Sequence, residues 1–417
     1  MEAWTLLREV ELYAPENQGI CHVLIWGEKV VEVVRVAAAG ENERPSVSAF
    51  LLGLGQAAAT CNVQVTVIDC RGKCAVPGLI DGHAHLIGGG GEKGPASRTP
   101  ALEPRDLVAA GVSTVVGLLG TDGITRTDAE LHAKVRGLNA MGMSAFLYSG
   151  SYAVPVNNTV TGSVDKDIVH IDEVLGVGEV CVSDFRGSLP AALELARLGT
   201  QVRVAGLIAG KAGVVHVHIG ALDSGLQPLL DAVRVHQVPV TVFQPTHCGN
   251  RGPRVLEHVR EWLRLGGVAD FTADENGWAQ SGGHASLDSL DTLVREGFSV
   301  GQMTLSSDAQ GSFSSFDTHG RVTAYGFFRP TNLNKTLHRL VNEKDWAIHD
   351  ALKLCTTNVA DFLCLKGKGR ILPGFDADLV VYSERGRIFD ASAMEFVFVR
   401  GYPVMRPGDG TSFRPLP

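Results

Sequence analysis

The chain has 417 residues, 45% of them hydrophobic and 20% charged, and a formal net charge of −8; that is enough for a large α/β domain plus an accessory one and ordinary for a soluble globular enzyme. The acidic balance, with no basic run to track phosphates, argues against a nucleic-acid partner, and no apolar stretch approaches the roughly 20 residues that span a bilayer. The start, Met1-Glu2-Ala3-Trp4, lacks a cationic segment ahead of a long apolar core, so no secretory signal is expected.

Residues 1–75 have β texture, with strand candidates at Leu6–Tyr13 and Val23–Val36 separated by turns. From about 76 to 310 the texture alternates. Strand candidates lie at 79–85, 113–119, 144–150, 179–184, 213–219, 239–245, 268–273 and 302–308, with helical patterns between them at 129–141, 189–198, 225–236, 254–265 and 286–296. Strand and helix in alternation through eight rounds predict a (β/α)₈ TIM barrel. Residues 332–364 read as helical, and β texture returns over Gly369–Val381. The expected fold is therefore a barrel over 76–364 flanked by one small β-sandwich built from 1–75 and 365–417. The eight cysteines are scattered and no second pair completes a zinc ribbon, which predicts buried free thiols and a cytoplasmic protein.

In such barrels the chemistry sits at the C-terminal ends of the strands. His83 and His85 end the first strand, two residues apart and so on one face. Glu179 and Cys181 share a face of the fourth strand, and Asp184 and Arg186 follow it. His218 ends the fifth, with His216 one layer deeper and read as structural; His247 ends the sixth and Asp308 the eighth. Burying so many ligand-type side chains without a metal would be costly. His83, His85, Glu179, His218, His247 and Asp308 exceed one tetrahedral ion and suit two divalent metals, zinc being favoured, that share a carboxylate bridge and a hydroxide. Asp308 is placed to take a proton from that water and pass it on.

These residues resemble the amidohydrolase superfamily: His83-Ala84-His85, the single histidines His218 and His247, the late Asp308, and Pro373-Gly374-Phe375-Asp376-Ala377-Asp378-Leu379. Within it the chain is similar to the bacterial isoaspartyl dipeptidases, in the strings His85–Glu92, Gly117–Asp122, Thr161–Asp167, Pro245–His247 and Thr304–Asp308. The resemblance implies hydrolysis of β-aspartyl dipeptides, a small-molecule substrate, and a homo-oligomer. His83, His85 and Asp308 would hold the buried metal, and His218 and His247 the outer one. Glu92 would bind the substrate ammonium and Tyr152 would polarise the scissile carbonyl. Arg186, Arg251 and Ser312 would engage its carboxylates, and Thr121 would line the pocket. Those roles suit the chemistry, since free carboxylates need guanidinium partners and a phenol can donate to a developing oxyanion.

The chain departs from that pattern in three places. The family's strand-four bridge is a carbamylated lysine; here the position is Glu179, whose carboxylate sits about half as far along its side chain. Cys181, on the same face, is the alternative ligand. Cys248-Gly249-Asn250-Arg251 is one residue longer than the family spacing, and Ala309-Gln310-Gly311-Ser312 replaces a glycine–asparagine pattern. Two other functions stay open on sequence: an amidohydrolase acting on a cyclic amide or N-acyl amino acid, and a scaffold without catalysis.

Overall fold

The computed structural model describes residues 4–36, 53, 56, 64–274, 285–316, 319, 321–406, 413 and 415. Five strands come first: β1 (Trp4–Tyr13), β2 (Asn17–Trp26), β3 (Lys29–Arg35), β4 (Val65–Asp69) and β5 (Cys74–Pro77). The barrel strands follow: β6 (Leu79–Ala84), β7 (Val112–Gly117), β8 (Ser144–Ser149), β9 (Val174–Val182), β10 (Val214–Ile219), β11 (Phe243–Thr246), β12 (Ala269–Thr272) and β13 (Met303–Ser306). A hairpin, β14 (Ser312–Phe316) and β15 (Val322–Phe327), precedes the last three strands, β16 (Leu379–Tyr382), β17 (Met394–Val399) and β18 (Tyr402–Met405).

The barrel strands are almost wholly buried, as strands sandwiched between a filled interior and a ring of helices must be. β6 to β11 form one parallel sheet in chain order, and β12 pairs with β13. Backbone hydrogen bonds close the ring. Cys248 N–H donates to Asp270 O at 3.1 Å; Asp308 N–H reaches His83 O at 3.0 Å and His85 N–H reaches Ala309 O at 2.8 Å. The eight-stranded (β/α)₈ barrel is therefore as expected, and the last two bonds join the very segments that carry the candidate ligands.

The terminal strands form one eight-stranded sheet ordered β18-β17-β16-β5-β1-β2-β3, with β4 also on β1. One edge of β1 is shared: Trp4–Arg8 pair with β4 and Glu11–Leu12 with β5, so the sheet forks. The fork encloses a core from both chain ends, including Leu7, Val10, Val23, Ile25, Leu379 and Phe398. Within the terminal segments assigned to this domain, residues 1–3, 37–52, 54–55, 57–63, 407–412, 414 and 416–417 lie outside the described residues.

Several element bounds differ from the sequence reading. The fourth barrel strand starts at Val174, five residues early, because Gly176 and Gly178 break the apolar run without breaking the strand; a Cβ on Gly176 would lie 2.1 Å from Val214 O, so the glycine permits the close β9–β10 approach. The helix expected over 189–198 runs Ala192–Ala209, to a left-handed Gly210 cap. Residues 332–364 hold three helices, and the β14–β15 hairpin was not anticipated. Of the seven described cysteines, Cys364 is exposed and the others are buried free thiols. Among the described residues no helix is long and apolar enough to cross a membrane.

The Pro373–Leu379 string helps fasten the terminal sheet to the barrel. Lys368, 5% exposed, places Nζ 2.7 Å from Asp378 Oδ2, 2.8 Å from Asp376 Oδ2 and 2.6 Å from Ser144 Oγ on β8. Asp376 also pairs with Lys29, and Asp378 Oδ1 accepts from Arg400 N–H at 2.7 Å. Removing one member of such a buried group strands the others. Lys368→Met is expected to lower unfolding stability by about 3–5 kcal/mol, measured by urea denaturation; a change below 1 kcal/mol would show that the cluster is not a structural clamp.

Candidate metal centre

Glu179, on β9, lies at the middle of the barrel mouth with four imidazoles around it. Its Oε2 is 3.1 Å from His218 Nδ1, 3.3 Å from His247 Nε2 and 3.7 Å from His83 Nε2; its Oε1 is 3.8 Å from His85 Nε2. Asp308 Oδ1 lies 3.1 Å from His85 Nε2 and 3.3 Å from His83 Nε2. All six side chains are buried. His247 and Asp308 hold left-handed backbone, φ 64° and 51°, uncommon for residues with a side chain and concentrated at functional sites.

These spacings fit a metal. Donor atoms about 2.1 Å from a tetrahedral zinc lie roughly 3.4 Å apart, and most of the distances above fall near that value. The donors of His83, His85 and Asp308 form one compact group, and those of His83, Glu179 and His247 another. His83 Nε2 is buried and makes no well-formed hydrogen bond. A Cβ on Gly120 would lie 2.7 Å from His85 Cε1 and 3.3 Å from Glu179 Oε1, so only a glycine leaves this centre its room. The electrostatics agree. Burial opposes charge on His83, but Glu179 and Asp308 outweigh it and push the imidazole up to about 9, so the pocket favours a cation. Burial pushes His247 well down, keeping it in the neutral form that ligates a metal.

A second layer orients the first. His83 Nδ1 meets His216 Nε2 at 2.9 Å, His216 Nδ1 meets Gln244 Oε1 at 3.0 Å, and Gln244 donates to Thr304 Oγ1 at 3.1 Å. The chain ends on Asp270, which accepts from Thr246, Thr304 and Ser306 hydroxyls at 2.6–2.7 Å. Asp270 had no role in the sequence reading. Its signal there was faint: it stands mid-strand in an apolar run, in phase with Thr272, whose hydroxyl meets His247 Nδ1 at 2.6 Å.

Above the centre opens a pocket lined by Glu92, Thr121, Tyr152, Arg186, Arg251 and Ser312 together with the centre itself. Every residue expected at the site from sequence is therefore brought to one place. The glycine run before Glu92 is packed, not loose. Gly88 has φ +80° and a Cβ there would lie 2.3 Å from Thr99 O, while Arg126, buried, donates to Gly89 O at 2.7 Å. Glu92 accepts from Ser312 Oγ at 2.9 and 3.0 Å, lies 3.4 Å from Thr121 Oγ1, and faces Arg186 Nη1 at 3.3 Å. Ser312 thus serves Glu92 here. Tyr152 Oη is 2.9 Å from His218 Nδ1. Arg251 is buried and donates from Nε to Ile219 O at 2.8 Å, so the extra residue before it does not take it out of the pocket.

Comparison with known proteins places this arrangement. A family model described as the amidohydrolase family matches residues 222–401. A crystal structure of β-aspartyl dipeptidase from Fervidobacterium islandicum AW-1, in complex with β-Asp-Leu dipeptide, is 34% identical over all of this chain and 99% of that one, with a TM-score of 0.86. This chain belongs to the amidohydrolase family. A second structure of the Fervidobacterium dipeptidase is 32% identical over 99% of both chains, TM-score 0.82. Dihydropyrimidinase from Brevibacillus agri NCHU1002, at 16% identity and TM-score 0.61 over 99% of this chain and 96% of that one, shares the fold.

In this amidohydrolase the loop bearing Tyr152 is held by two buried acids, which explains the Thr161–Asp167 string. Asp167 accepts from Ser149 Oγ, Val160 N–H, and Thr161 N–H and Oγ1, at 2.5–2.9 Å. Asp128 Oδ2 lies 2.9 Å from the same Ser149 hydroxyl and 2.7 Å from Gly150 N. One hydroxyl proton cannot serve both carboxyls at once. Burial, with the Asp167 charge adding to it, pushes Asp128 up to about 7. The unfolded carboxyl titrates near 3.9. The folded state therefore binds the extra proton, and stability falls as pH rises from about 4 to about 7, then stays lowered. Asp128→Asn is expected to gain stability over the wild type progressively across that window, as read from urea midpoints at pH 4.5, 6 and 8; a constant difference would show that Asp128 does not titrate there.

Proposed function

We propose that this amidohydrolase hydrolyses β-aspartyl dipeptides with two divalent metal ions, for which zinc suits the donor set. The observation that carries the reading is the charge pattern of one pocket. A carboxylate, Glu92, and two guanidinium groups, Arg186 and Arg251, line the same cavity as the histidine–carboxylate centre. That pattern matches a zwitterion with separated ammonium and carboxylate groups, and it serves an uncharged cyclic amide poorly. The 34%-identical relative solved with β-Asp-Leu supports the same substrate class.

In this reading His83, His85 and Asp308 would hold one ion and His218 and His247 the other, with Glu179 as the carboxylate available to both. Bound there, the ions would supply a water of lowered pKa and polarise the carbonyl. The side chains do the rest. Glu92 takes the substrate ammonium, and the two arginines take its carboxylates and fix the β-linked amide over the centre, converting binding into orientation. Tyr152 donates its hydroxyl to the oxygen that becomes negative as the carbonyl carbon turns tetrahedral. Burial holds that phenol well above its ordinary value, so it stays a donor. Asp308 accepts the proton of the attacking water and returns it to the departing amine.

A kinetic screen tests the substrate class. The metal-loaded protein should favour β-Asp-Leu over α-Asp-Leu, N-acetyl-leucine and a hydantoin by at least about a hundredfold in kcat/KM; an equal or greater rate on the ring or the N-acyl compound overturns it. Asp308→Asn should lower kcat by about 10²–10⁴ while retaining most of the metal measured by mass spectrometry. Near-normal turnover in that variant would remove Asp308 from the proton transfer.

A further inference from the structure

Asp184 follows β9 in the turn Ser183–Gly187, and its role is not covered by the assignments above. Its carboxylate is 7% exposed and fully engaged. Oδ2 lies 3.1 Å from His218 Nε2 and 2.7 Å from Arg186 Nη2. Oδ1 accepts from Arg186 Nε at 3.0 Å and from Arg186 N–H at 3.0 Å. One carboxylate thus touches both the imidazole beside Glu179 and the guanidinium that faces Glu92.

We propose that Asp184 is a positioning residue that couples the outer-metal histidine to the substrate-binding arginine. The inference rests on the function proposed above. Two consequences follow from chemistry alone. Asp184 offers Nε2 of His218 only lone pairs, so it favours a proton on that nitrogen and fixes that edge of the ring. With Nε2 held by Asp184, Nδ1 is the nitrogen turned to the centre, 3.1 Å from Glu179 Oε2 and 2.9 Å from Tyr152 Oη, where a metal would take its lone pair. Without Asp184, either tautomer and either ring orientation becomes available. The second consequence concerns Arg186. Its Nε and Nη2 edge is occupied by Asp184 in a forked pair, so only Nη1 is directed at Glu92, 3.3 Å away, and toward the pocket. The backbone is shaped for this contact: a Cβ on Gly220, just beyond β10, would lie 2.4 Å from Asp184 Cβ, so a glycine lets the turn reach His218.

The same residues admit a different use. Cys181, Asp184 and His218 donors are close enough to hold a metal directly. Arg186 argues against it, because an ion there would sit beside a guanidinium already bound to Asp184.

The test is a cobalt(II) titration of the metal-free protein, followed by absorbance, with steady-state kinetics on β-Asp-Leu, for wild type, Asp184→Ala, Asp184→Asn and Arg186→Ala. Asp184→Ala should weaken the second cobalt ion about 10- to 100-fold, leave the first unchanged, and raise KM as much as Arg186→Ala does. Arg186→Ala should raise KM and leave both cobalt affinities as they are. Asp184→Asn, nearly isosteric and chosen to keep the fold, should move both readouts in the same direction. Wild-type cobalt affinity in both Asp184 variants would overturn the proposal. Cys181→Ser is titrated alongside them: an equal loss of the second cobalt ion in Cys181→Ser and Asp184→Ala would favour direct ligation by this group and also overturn the proposal. If the wild type shows no β-aspartyl activity, the substrate reading fails alone, and the cobalt titration still decides the role of Asp184.

Discussion

A buried carboxylate at the middle of the barrel mouth sets the terms for the rest of the structure. Glu179 is removed from water, and an isolated charge there would cost several kcal/mol. It is tolerated because four imidazoles surround it at 3.1–3.8 Å and a small cationic charge is favoured among them. Those imidazoles and Asp308 arrive from four separate strands, His83 and His85 sharing the end of β6. The cluster can form only if the barrel closes in register, and the hydrogen bonds that close it run through His83, His85 and Asp308 themselves. Fold and site are therefore held by the same few residues.

Around that centre the polar groups are arranged in layers. Beneath it the run from His216 through Gln244 and Thr304 to Asp270 replaces what is ordinarily an apolar filling of branched side chains. It orients His83 without touching anything that reacts. To one side, Asp128 and Asp167 grip the loop that carries Tyr152. Above, Glu92 meets Thr121, Ser312 and Arg186, so the group assigned to the substrate ammonium is already polarised by donors on three loops. The terminal sheet is remote from this chemistry, and Lys368 with Asp376 and Asp378 ties it to β8 at the other end of the barrel.

Much of this was legible in the chain because barrel strands and their ends follow local rules. His83 and His85 share a face since strand side chains alternate, and eight βα rounds leave only one rim for His218, His247 and Asp308 to meet on. Misjudged bounds arose where glycine interrupts an apolar run, at Gly176 and Gly178 in β9 and at Gly199 in the helix after it, because packing decides such positions and propensity does not. The roles of Asp184 and Asp270 were not legible for a different reason. Each acts through side chains far away in sequence, and a lone aspartate after a strand, or within one, carries no local mark of its partner.

The sequence by itself determined the barrel, the histidines and carboxylates at its rim, and a glutamate at position 179 among them, since residue type and strand period are local properties. Only the tertiary structure decided how near those ligands come, which nitrogen of His218 faces Glu179, and that Asp184 holds His218 and Arg186 with one carboxylate. Those outcomes depend on distances between strand ends brought together by ring closure, and no spacing along the chain encodes them.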